Sequence, residues 1–219
     1  MTDASLQKPL LRGWSHALAA AFALVGAAVL LTPTRHDPLK FASLAIYSVA
    51  LFLLFATSAT YHIPHWSPRM RKWLRRADHS TIFLFIAASY TPLALIVLTG
   101  WMRTFILAAI WACALVGIFG AGPLLRAHHR LLALFYVFMG WIALIALAPL
   151  SAALGIGAAL LLALGGIEYS VGAFMYAFKR PKLWPSVFGY HEAFHALVIV
   201  GSFTLYALLL IYVVPFPHH

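Results

Sequence analysis

Residues 190–214, YHEAFHALVIVGSFTLYALLLIYVV, form an apolar run interrupted by one acidic residue, Glu192, and by two histidines. About 20 such residues suffice for a helix to cross the hydrocarbon of a bilayer, so the run reads as a transmembrane helix. His191 and His195 stand four apart in its opening turns and therefore share a face. Imidazoles are costly inside a membrane, and two stacked at the head of a span mark a site, with a metal as the first candidate ligand.

Six more runs of the same kind lie upstream. Together the seven spans are expected at Trp14–Leu31, Phe41–His62, Ser80–Leu98, Thr104–Leu124, Leu131–Leu150, Ala153–Phe178 and Tyr190–Val214. The chain of 219 residues is 63% hydrophobic and only 9% charged, with a mean hydropathy of +0.92. A soluble globular protein is about half apolar and about a quarter charged. The expected class is therefore all-α: a polytopic membrane protein of seven transmembrane helices in a single domain over residues 1–219. Met1 to Leu11 is polar, so no cleavable signal peptide is expected. Cys113 is the single cysteine, which excludes an intramolecular disulfide.

The net charge of +10 does not point to nucleic acid, because the basic residues punctuate apolar runs instead of covering a soluble face. Topology and anionic headgroups explain that placement. Lys8, Arg12, Arg69, Arg71, Lys72, Arg75, Arg76, Arg126, Arg130, Lys179, Arg180 and Lys182 fall on one side of the seven-span arrangement. Only Arg35, Lys40 and Arg103 fall on the other. Basic residues accumulate in cytoplasmic loops, so the amino terminus is expected inside and the carboxyl terminus outside. A missed or false span would invert every later loop and spoil this separation.

Under that topology His62 ends the second span, Asp78 stands at the mouth of the third, and His191 and His195 open the seventh, all at one membrane depth. With a rise of about 1.5 Å per residue, the two histidines of the last span differ in depth by only about 6 Å. Three nitrogen donors with a position left for water is a common catalytic zinc arrangement. Asp78 would then hold the water or act as general base. Ser58, one turn deeper than His62, would orient the water or hydrogen-bond a substrate carbonyl oxygen.

Several stretches carry a resemblance that covers nearly the whole chain. They are Ser58-x-x-x-His62, Asp78-His79-Ser80 followed by Thr81-Ile82-Phe83, Tyr90-Thr91-Pro92, Gly140-Trp141, Gly165-Gly166 and His191-x-x-x-His195. The chain resembles the progestin and adipoQ receptor family, in particular its bacterial haemolysin III branch. The resemblance implies seven helices with a cytoplasmic amino terminus. It also implies Zn2+ held by His62, His191 and His195, with Asp78 reached through water and Ser58 nearby. Family members often carry an acidic residue just before the first helix, whereas Arg12-Gly13-Trp14-Ser15-His16 has none. His16 is accordingly expected to play a supporting part at most, as an interfacial histidine.

The run His191-Glu192-x-x-His195 also satisfies HExxH, the zinc-protease signature in which the glutamate is general base. Glu192 alternatively needs no role beyond favourable placement at a helix amino terminus. Glu168 lies inside the sixth span and must either face a polar cavity or be protonated. Gly165, Gly166 and Gly172 allow close helix approach. His65, His79, His128, His129, His218 and His219 receive no site assignment.

The leading expectation for function is a zinc-dependent hydrolase of an amide or ester bond in a membrane lipid, as the wider resemblance to alkaline ceramidases implies, with its site in the inner leaflet of a bacterial inner membrane. The alternative is a receptor or regulator of membrane state with a structural zinc. An HExxH intramembrane metalloprotease ranks below these. A pore-former is disfavoured because no amphipathic segment could switch from soluble to inserted, and a transporter because no paired broken spans are found.

Overall fold

The computed structural model describes residues 13–127, 129–181, 184 and 187–217. Lys8, Arg12, His128, Lys182, His218 and His219 lie outside these, as do the side chains of Arg126 and His129. Seven helical segments are long and apolar enough to cross a membrane. They are α1 (Trp14–Thr34), α2 (Pro38–His62), α3 (Pro68–Val97), α4 (Gly100–Gly120), α5 (Arg130–Leu154), α6 (Ile156–Phe178) and α7 (Tyr190–Val213). No sheet accompanies them among the described residues. Lipid offers the backbone no partner, and a helix bonds its own N–H and C=O groups. Phe22, Val116, Phe174 and Phe203 point outward, as lipid-facing side chains must.

Five helix starts differ from the hydropathy reading, that of α5 by one residue, and those of α2, α3 and α6 have a local cause. α3 begins at Pro68, not at Ser80, because the Ser67 hydroxyl accepts from Met70 N–H at 3.4 Å and Pro68 occupies the first turn. The following Arg, Met, Lys and Leu residues favour helix despite their charge, so the helix projects three turns beyond its apolar part. Asp78 therefore sits within a helix and not at its mouth. Asp37 caps α2 by accepting from Lys40 N–H at 2.9 Å, which starts that helix at Pro38 instead of Phe41. α4 starts at Gly100, ahead of Thr104. α5 runs on to Leu154, and the break before α6 falls at Gly155, whose φ of +86° is a backbone state that glycine adopts freely.

Polar side chains stitch the bundle where its backbone departs from α geometry. Ile142–Ala146 in α5 is a 3-10 stretch, which disturbs the hydrogen bonding around it. Tyr90 of α3 fills the gap, sharing its hydroxyl proton between Met139 O (2.9 Å) and Gly140 O (2.6 Å) and accepting from Ala143 N–H at 2.8 Å. Lys40 Nζ donates to Val214 O (3.2 Å) and Phe216 O (2.7 Å), capping the end of α7. Tyr206 of α7 donates to Gly26 O of α1 at 3.0 Å, which closes the first helix against the last. Nearer its start, α1 meets α7 through His16 and His195, beside the end of α2.

Close approaches depend on small residues, as helix packing in lipid requires. A Cβ on Gly117 of α4 would clash with the ring of Phe83. Phe83 is fully buried against Phe135 and Tyr136, so the ring has little room to yield. Gly117→Ala is expected to destabilise the bundle by about 1–3 kcal/mol, despite alanine's better helix propensity, read as a lower melting temperature in detergent. A melting temperature equal to or above wild type would show that the α3–α4 contact is looser than described.

Candidate metal centre

The site begins with the phase of α7. Gly189 precedes the helix, and its N–H donates to the Glu192 carboxylate at 2.8 Å, half of a capping box. With the start fixed there, His191 and His195 face the axis of the bundle. Across from them, the last turns of α2 supply Ser58 and His62, both buried. α3 supplies Asp78 from its third turn.

His191 Nε2 lies 3.2 Å from His62 Nε2, and the donor nitrogens of His62, His191 and His195 all lie within 4.8 Å of one another. A tetrahedral zinc with Zn–N bonds of about 2.0–2.1 Å sets its nitrogens about 3.4 Å apart. The donor set therefore fits such a cation after side-chain rotations on the order of an ångström. Asp78 Oδ2 lies 3.9 Å from His62 Nε2, and Ser58 lines the same cavity as Asp78. The five residues singled out from the sequence are thus brought to one place from three helices.

A sixth residue joins them that the sequence placed at an interface. His16, in the first turn of α1, is only 3% exposed. Its ring stacks on that of His195 at 3.9 Å between centroids and 9° between planes. Its Nε2 donates to His195 O at 3.4 Å, while Nδ1 is buried without a hydrogen-bond partner among the described residues. His16 is thus a wall of the site that sets the plane of His195. Its one sequence signal is a histidine at the same depth as the other three.

A cavity of about 210 Å³ opens on the triad, and Ser58, Asp78, Arg71, Arg75 and Tyr176 contribute to its walls. His79 also faces it, held through its Nδ1 contact with the Tyr136 hydroxyl (3.3 Å), which donates to His79 O (3.0 Å). A second, apolar cavity of about 110 Å³ adjoins, sharing Leu54, Ile82, Phe194 and Val198 as walls. Glu168 lines neither cavity. Its Oε2 is buried without a hydrogen-bond partner among the described residues. Glu192 likewise lies outside the lining of the histidine cavity.

A seven-helix integral membrane protein with histidines and a carboxylate gathered at one end of its bundle is the class that these features define. The haemolysin-III related family matches over residues 4–206. Hemolysin-3 of Bacillus cereus is 39% identical over 171 residues, covering 78% of this chain and 74% of that protein. The hemolysin-3 homolog of Bacillus subtilis (strain 168) is 34% identical over 176 residues, covering 80% and 79%. The chain belongs to the haemolysin III family, the bacterial branch of the progestin and adipoQ receptors. With such relatives it is an integral inner-membrane protein.

Removing the stack should be felt at the triad. In His16→Ala, a metal held by His62, His191 and His195 is expected to bind about 10–100-fold more weakly, as measured by competition with a chromophoric chelator. His16→Phe keeps the ring and should recover most of that loss. Unchanged affinity in His16→Ala would show that His195 needs no support from α1.

Proposed function

We propose that this protein is a zinc-binding membrane hydrolase that cleaves an amide or ester bond of a membrane lipid. The observation that carries the reading is the triad of imidazole nitrogens within 4.8 Å of one another, with the Asp78 carboxylate beside it. His62, His191 and His195 would hold the metal. Zinc, when bound, supplies a Lewis acid that polarises a carbonyl oxygen and makes water a better nucleophile at neutral pH.

The remaining chemistry falls to the chain itself. Asp78 accepts the proton of the attacking water and passes it to the leaving amine or alcohol. Ser58, on the same cavity wall one turn from His62, would orient the water or hydrogen-bond the substrate carbonyl oxygen. The adjoining apolar cavity, walled by Leu54, Ile82, Phe194 and Val198, offers space for acyl chain next to the reacting bond.

The zinc-protease reading is weaker, because the Glu192 carboxylate is turned toward Gly189 N–H and away from the cavity. A second reading retains an observation in its favour. At 3.9 Å from His62 Nε2, Asp78 is close enough to become a fourth ligand, and a closed four-ligand site is structural in character. That arrangement would suit a receptor or regulator of membrane state.

Elemental analysis of detergent-purified protein comes first. About one zinc per chain is expected, lost in His62→Ala and in His191→Ala, and retention of zinc without His62 would break the triad. Asp78→Asn should keep its zinc and lose about 10²–10⁴-fold in turnover on fluorescent amide and ester lipids. Loss of zinc in Asp78→Asn would favour the structural reading, and full turnover would sink the hydrolytic one.

A further inference from the structure

Arg71, Arg75, Asp78 and Ile82 recur at intervals of four, three and four residues along α3, so they share one helix face. All four line the histidine cavity. Neither guanidinium has a carboxylate within ion-pairing distance among the described residues. Among the described residues Asp78 is the one acidic residue on the cavity wall, so the mouth carries an excess of positive charge even before a metal is counted.

The tendency of basic residues to gather at one membrane face explains why Arg69, Arg71, Lys72, Arg75 and Arg76 follow one another. It governs how many basic residues a loop carries, not the side of a helix they take. Of these five, only Arg71 and Arg75 line the cavity, in register with Asp78. The guanidinium is planar and always charged, and it matches phosphate oxygens with paired N–H donors.

We propose that Arg71 and Arg75 form an anion-binding subsite at the mouth of the histidine cavity, selecting an amphiphile whose phosphate lies a few bonds from its ester or amide carbonyl. The inference rests on the hydrolase reading and names its substrate class. Along the axis of α3, Arg75 precedes Asp78 by about 4.5 Å and Arg71 by about 10.5 Å. A phosphate held between them leaves a carbonyl one short linker away at Asp78 and the triad. Acyl chain then continues past Ile82, which is a wall of both cavities. A neutral sphingolipid-type substrate would leave both guanidinium groups without a partner.

The test is isothermal titration of detergent-purified protein with three probes: dihexanoyl phosphatidic acid, dihexanoyl phosphatidylcholine and inorganic phosphate. Wild type should bind phosphatidic acid at least about tenfold more tightly than either of the others. R71Q/R75Q should lose at least about tenfold for phosphatidic acid, while R69Q/K72Q, which removes equal charge off the cavity face, should lose less than about twofold. R71K/R75K keeps the charge that sets topology but lacks the paired donors, and should show a partial loss. Equal losses in the two neutralised pairs would reduce the effect to general surface attraction and overturn the subsite. Phosphatidylcholine binding as tightly as phosphatidic acid would overturn the phosphate, and inorganic phosphate binding as tightly would overturn the amphiphile. Zinc content measured on the same samples separates the two readings: selective binding without zinc would sink the hydrolase and leave the subsite standing.

Discussion

Hydrocarbon gives a polar side chain nothing to bond to, and the internal order of this bundle follows from that restriction. Tyr90 fills the gap beside the 3-10 stretch of α5, and Trp141 donates to Ser170 at 3.0 Å between α5 and α6. Tyr169 of α6 pairs with Ser202 of α7 at 2.8 Å. The site is the extreme case of the same rule. Three imidazoles, a serine and an aspartate from three helices would each be costly alone, and at this depth they line one cavity together.

The spans were legible because hydropathy reports the part of a helix that lies in lipid. It is blind to the part that does not. α3 shows the difference, since charge ends the apolar run at Asp78 while the Ser67 cap and Pro68 carry the helix three turns further. His62, Asp78, His191 and His195 could be grouped from depth alone, since seven alternating spans fix which ends coincide. His16 could be given the same depth but not the same place. Its stack on His195 depends on how α1 leans across α7, and no local pattern encodes that tilt.

Extending α3 also changes what kind of object the site is. A carboxylate at the mouth of a span would ride on a loop, and its position would follow the motion of that loop. Within the helix, Asp78 is fixed by phase relative to Arg71, Arg75 and Ile82, and its carboxylate lies 3.9 Å from His62 Nε2. Groups mounted on rigid elements and held by neighbours keep the sub-ångström placement that metal binding or proton transfer requires. The same extension aligns Arg71 and Arg75 with the cavity.

Two carboxylates lie close enough in sequence or space to serve the triad, and helix capping decides between them. Glu192 follows His191 directly and shares the residue spacing of a zinc-protease base. Its position is also the third of α7, where the first N–H groups of a helix have no internal partner. In a chain entering a membrane those orphan donors must be satisfied, and Gly189 has no side chain with which to do it. Glu192 accepts from one of them, Gly189 N–H, and lies outside the lining of the cavity. Asp78 faces no such competing demand, because it sits in the interior of α3 where the backbone is already bonded. The cap at the start of α7 thus holds Glu192 at the helix end, and the carboxylate that lies beside the triad is the aspartate of α3.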